Sequence, residues 1–149
     1  MIDAKRGRVS VVSALPGGTT QTATFWGGAF IVRQNRSGTT KLILPRASGC
    51  QRPSPATAKT SNSRFNEDAK RRRRKKKRPS LWGSDRRGRY QTHGSNSVAT
   101  VRGTKWQTVN RCDGTLTRVR EGVVVVRDKR LRRNVKVTAG RSYLARARR

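Results

Sequence analysis

Apolar residues in this chain come in short bursts, each closed by a glycine-bearing turn. They gather at positions 9–15, 23–32, 41–44 and 98–144 and nearly vanish between 46 and 80. Residues 7–14 read as a strand, and the Leu-Pro-Gly-Gly-Thr-Thr stretch after it as a turn. Residues 21–34 alternate as a strand pair broken at Gly27 and Gly28, with Thr22, Thr24 and Trp26 on one phase and Ala23 and Phe25 on the other. Beyond the glycines, Phe30 and Val32 share a face and Ile31 opposes them. A turn at Asn35 to Gly38 leads into a further strand over 39–44. Strand text resumes at Leu81, with segments at 88–92, 97–102, 104–109, 115–120, 123–128, 133–138 and 141–145. Within it, Val123 and Val125 are expected to face inward with Val135 and Val137, and Trp106 and Tyr143 to cap the ends of the core.

Strands this short, about ten residues apart, predict an all-β fold: a short-stranded β-sandwich or roll, or a short β-solenoid. A weak Gly-x-Val-x-Val repeat at 7–11 and 122–126 fits stacked β units. Three segments are expected: an N-terminal β-meander over 1–46, a disordered basic linker over 47–80, and a β-domain over 81–149. Gly103, Gly122 and Gly140 stand where strands must reverse or bulge, and glycine accepts positive φ without a Cβ penalty.

Composition makes the core thin. Only 32% of the 149 residues are hydrophobic, and the net charge is +30. The charge is uneven: positions 51–80 hold twelve basic and two acidic residues, a net +10. Their centre is an unbroken run, Arg71, Arg72, Arg73, Arg74, Lys75, Lys76, Lys77 and Arg78. Such a run repels itself and buries nothing, which predicts a solvated linker or surface loop. Eight cations also suit nucleic acid or another polyanion. If all met duplex phosphates, affinity would drop roughly 10³–10⁵-fold between low and moderate salt. The run lacks interleaved aromatics, so base stacking is not part of that reading. The longest apolar run, at 123–126, is far short of the roughly 30 Å of a bilayer, so no membrane span is expected. The residues after Met1 contain no apolar signal region. The chain is expected to start inside a longer reading frame that carries a signal peptide, or to be the C-terminal piece of a larger protein; the alternative is an ordinary cytosolic start.

Chemistry-bearing residues are few. Cys50 and Cys112 are the only cysteines. The reading favours a disulfide between them over two free thiols, and with it an oxidising compartment. One histidine and two distant cysteines have no zinc spacing, so no metal or other cofactor is expected. A catalytic pair of Cys112 with His93 would need an orienting group and an oxyanion donor that the sequence does not offer. His93 is expected in an exposed turn. Most acids fall in turns, where aspartate caps local backbone, and Glu121 is read as structural.

Three segments together carry a family resemblance: Val101-Arg-Gly-Thr-Lys-Trp106, Thr117-Arg-Val-Arg-Glu-Gly-Val-Val-Val-Val126 and Val135-Lys-Val-Thr-Ala-Gly140. In order and spacing they resemble the FecR-type domain, over about residues 81–145. The resemblance implies a non-enzymatic, extracytoplasmic β-domain. Its best-known members relay a transporter's signal across a membrane to a sigma factor. This chain has neither the helical sigma-factor domain nor the spanning helix of that scheme, so the signalling role is not expected. The closer analogy is to envelope and secreted β-proteins. The expected function is a structural or interaction module of the cell envelope, binding a protein or an anionic envelope polymer. The alternative is a nucleic-acid- or polyanion-binding protein, cytoplasmic or not, that uses 71–78.

Overall fold

A computed structural model describes residues 1–50 and 78–148. Among these residues thirteen strands form two sheets with no helix. In spatial order the seven-stranded sheet is β1 (Ile2–Asp3), β4 (Ala29–Gln34), β5 (Thr40–Ile43), β7 (Tyr90–His93), β8 (Ser97–Val101), β11 (Val123–Asp128) and β12 (Arg133–Thr138). The six-stranded sheet runs β13 (Ser142–Arg146), β10 (Gly114–Glu121), β9 (Lys105–Arg111), β6 (Ser80–Asp85), β3 (Thr20–Trp26) and β2 (Arg8–Ala14). Neighbouring strands are antiparallel except β5 and β7. The all-β, sandwich-like architecture is the expected one.

The two stretches expected as separate units share one core. Strand β3 pairs with β6, and β5 with β7, so each sheet takes strands from both sides of the 51–77 segment. The physical reason is the thin apolar supply. Neither stretch holds enough apolar surface to close a core alone, and a shared core pools it. Of the expected linker over 47–80, positions 51–77 lie outside the described residues.

Four aromatic rings occupy the centre, two from each sheet. Phe25 lies 5.6 Å from Phe30, 5.7 Å from Tyr90 and 6.1 Å from Trp106, the last two edge-on. Such pairs are worth about 0.5–1.5 kcal/mol each beyond their buried area. All four residues are fully buried. Trp106 is thus the middle of the core and not a cap at its end, and its Nε1–H donates to Thr92 Oγ1 at 2.9 Å. Strand β6 makes room for the indole with Gly83: a Cβ there would lie 2.6 Å from Trp106 Cζ2 and 3.0 Å from Phe25. Threonine extends the interior where hydrophobes run short. Thr92, Thr108, Thr115 and Thr117 are completely buried, each adding a methyl group to a β-branched strand position.

The valine run of β11 faces the other way from expectation. Val124 and Val126 are buried, opposite Val137 and Val135, while Val123 and Val125 are 40% and 37% exposed. A run of four valines carries no alternation of its own, so its phase follows its neighbours. Val101 and Ala99 on β8 and Val137 on β12 already point inward at those register positions. The same phase buries Asp128 at the end of β11. Its Oδ1 accepts the N–H groups of Arg130 and Leu131, both at 2.9 Å. Its Oδ2 accepts the Tyr143 hydroxyl at 2.9 Å, tying β13 of one sheet to β11 of the other.

Burial pushes the Asp128 carboxyl up, but the Leu131 N–H, the Tyr143 hydroxyl, the Arg130 N–H and the Arg130 charge outweigh it. The net effect holds the group below its usual 3.8. A carboxyl depressed on folding contributes stability that is complete above the unfolded value, near pH 4, and lost as pH falls through the depressed value. Asp128→Asn should therefore cost about 2 kcal/mol at pH 7, and the cost should shrink as pH falls below about 4, by urea unfolding. An equal gap at neutral and acid pH would remove the assigned role. Gly83→Ala should cost about 1–3 kcal/mol through overpacking against Trp106. Ser84→Ala, one residue on and outward, should stay within about 0.5 kcal/mol in the same thermal melts.

Candidate functional site

The inward phase that buries Phe25, Leu81 and Gly83 turns Trp26 and Trp82 onto the outer face of the six-stranded sheet. There they are cross-strand partners. Their rings stack nearly parallel, at 5°, with centroids 6.1 Å apart. Arg8 is the partner of Trp26 on β2, and its guanidinium lies 5.0 Å over that ring. Arg120, on β10, lies 5.0 Å over Trp82. It occupies the irregularity in β10 pairing between Val119 and Glu121, which frees it from the regular ladder. The result is one row, Arg8–Trp26–Trp82–Arg120, with a cation at each end. Each cation–π contact contributes about 0.5–1 kcal/mol at an exposed site.

Beside this row runs a groove of about 710 Å³. It forms because β3 outruns its partner: β6 pairs with Ala23–Trp26, and the earlier residues of β3 pair only with β2. Thr20, Thr22, Thr24 and Ser84 line it with hydroxyls, and Arg8, Arg86, Arg87 and Lys105 line it with charge. Its rim is held firmly. The buried Gln21 accepts the Arg89 N–H and donates to Gly38 O at 2.9 Å. The buried Asp85 accepts the Gly88 N–H at 2.8 Å and the Thr104 N–H at 2.9 Å. Among the described residues this is the one carboxylate lining the groove, and both its oxygens are occupied. Nearby, Glu121 lies 3.8 Å from Lys105.

Cations also crowd the opposite sheet. His93 sits half-buried on β7, not in an exposed turn, and shares a hydrogen bond of 3.1 Å with Gln91. Burial, Lys129 and Lys41 all push its pKa down. Lys129 is itself lowered, by burial and by Arg46, while its Nζ donates to Gly94 O at 2.7 Å.

Cys50 and Cys112 are joined by a disulfide, with their Cα atoms 5.3 Å apart across 62 residues of sequence. The bridge ties the segment after β5 to the turn between β9 and β10, and so links the two sheets. Pro79 O accepts the Asn110 N–H at 2.8 Å, so the chain re-enters the sandwich beside the point where Cys50 leaves it. Residues Arg71 to Lys77 lie outside the described residues; Arg78 is exposed just before β6. Gly103, Gly122 and Gly140 hold φ of 63°, 78° and 78° in turns. The residues the sequence did not single out are Arg8, Trp26, Trp82 and Arg120. The available signal was that both tryptophans fall on the polar phase of their strands.

Among the described residues no group of three or more His, Cys, Asp or Glu is placed to hold a metal. No helix there is long and apolar enough to cross a membrane. No protein-family model matches the chain, and neither a curated protein nor a solved structure does.

Asp85→Ala would leave two backbone donors unpaired at the rim, at a cost of about 2–4 kcal/mol. Amide hydrogen exchange at 86–89 and 102–104 should quicken, whereas Glu121→Ala should leave those amides and the stability nearly unchanged. Unchanged exchange in Asp85→Ala would show that the rim is held by something else.

Proposed function

We propose that this chain is a non-catalytic, extracytoplasmic FecR-like β-domain that serves the cell envelope as a structural or interaction module. The observation that carries the reading is the Cys50–Cys112 bridge. Disulfides persist in oxidising compartments, and this one joins the two sheets of a fold with little hydrophobic material to spare. Closing a loop of this length contributes about 4 kcal/mol in the chain-entropy model. The acids support a binding role over a catalytic one. Asp85 and Asp128 are buried backbone acceptors, and Asp3 and Asp113 pair with Lys5 and Arg111.

A second reading is salt-sensitive binding of nucleic acid or another polyanion through the run from Arg71 to Arg78. One described feature favours it. Arg78 lines a hollow of about 520 Å³ together with Lys5 and Arg46, which adds fixed cations where the run ends. Replacing 71–78 by Ser and Gly should then abolish salt-dependent binding of DNA.

For the principal reading, protein recovered from its native compartment should carry no free thiol by mass analysis under non-reducing conditions. Reduction, or Cys50→Ser with Cys112→Ser, should lower unfolding stability by about 4 kcal/mol. Two free thiols in native material would sink the extracytoplasmic assignment.

A further inference from the structure

We propose that the outer face of the six-stranded sheet binds a carboxylate-bearing polysaccharide, a polymer of uronic acids, laid across the strands between Arg8 and Arg120. The inference rests on the reading of the chain as an extracytoplasmic binding module and gives it a ligand class.

Charge comes first. Arg8, Arg120, Arg86, Arg87 and Lys105 belong to this face and its groove. Against them stand Asp85, whose oxygens are occupied by backbone, and Glu121 beside Lys105. A polyanion is therefore the complementary partner. Geometry narrows the class. A guanidinium drawn over an indole is restrained in position and keeps N–H donors for a carboxylate in bidentate geometry.

Stacking on bases is disfavoured. Each indole stacks on the other tryptophan and also carries a guanidinium 5.0 Å over its ring. A base would have to compete with these neighbours for the ring faces by which single-stranded nucleic acids are held. The hydroxyls of Thr24 and Ser84, cross-strand partners one same-face position along from Trp26 and Trp82, give a sugar chain neutral hydrogen-bond partners beside its charges.

Spacing fits as well. Arg8 and Arg120 rise from β2 and β10, four strand intervals apart in the sheet, and both lean in over the tryptophans. Along the row their guanidinium groups are at most about 16 Å apart. A pyranose unit advances a chain by roughly one strand interval of about 4.8 Å, so about three sugars bridge the two cations.

The test uses the full chain, with polygalacturonate and its oligomers as probes and oligothymidylate and dextran as comparators. Affinity should rise with oligomer length to about three or four sugars, and dextran should not bind. Arg8→Gln with Arg120→Gln should weaken polygalacturonate binding at least tenfold, while the thermal midpoint falls only by the few degrees that two lost cation–π contacts imply and the chain stays folded at the binding temperature. Replacing 71–77 by Ser and Gly should leave most of the affinity. Three results would overturn the proposal: binding unaffected by the double substitution, binding lost with the 71–77 replacement instead, or oligothymidylate bound as tightly and with the same dependence on Arg8 and Arg120. That last result would reassign the face to nucleic acid. Free-thiol analysis of native material reports separately on the compartment: an intact bridge with no polygalacturonate binding would reject the ligand alone.

Discussion

Trp106 seated on Gly83 and against Phe25 is the contact on which the rest of the sandwich depends. Within the six-stranded sheet it joins strands from before and after the 51–77 segment, and from it Trp106 reaches the other sheet through Thr92 and Phe25 through Phe30 and Tyr90. A large indole can lie in a thin core only if the strand beneath it gives up its side chain, and Gly83 does so. That fit sets the phase of β6, and pairing carries the phase to β3 and β9. With Phe25 and Leu81 turned in, Trp26 and Trp82 must turn out. The external row of arginine and tryptophan is thus a consequence of how the interior is packed.

The low apolar content shapes the remaining design. Buried threonines add methyl groups where valine or leucine would be expected, and one of them, Thr115, donates its hydroxyl to Asn110 Oδ1 at 2.9 Å near the disulfide. Polar ties then supplement packing. Asn110 Nδ2 donates to Pro45 O at 2.7 Å, Asp128 accepts the Tyr143 hydroxyl, and Cys50 bonds Cys112. Each joins elements of different sheets, so the two layers are held by directional bonds as well as by buried area. Such ties are sensitive to conditions in ways that apolar contacts are not: one fails on reduction and another on acidification.

Much of the fold was legible before the structure. Strand positions followed the bursts of β-branched residues, and the turns at Gly103, Gly122 and Gly140 fell where left-handed backbone is required. Pairing of Cys50 with Cys112 followed from there being only two cysteines. Less legible was the site. Trp26 and Trp82 lie 56 residues apart and on either side of the basic run, so nothing local announces that they stack. His93 was likewise placed by its neighbours, since a Thr-His-Gly sequence reads as a turn until β7 pairs with β5 and β8.

By itself, the sequence determined that the chain is β, where its strands break, and that its surface is strongly cationic. These are local properties, set by side-chain branching, glycine and charge, and they need no partner strand. Tertiary structure decided which face of β11 is buried, that both halves share one core, and which arginines are held against which tryptophans. Those outcomes depend on register. A strand's period of two allows either face inward, and only the neighbouring strands choose between them.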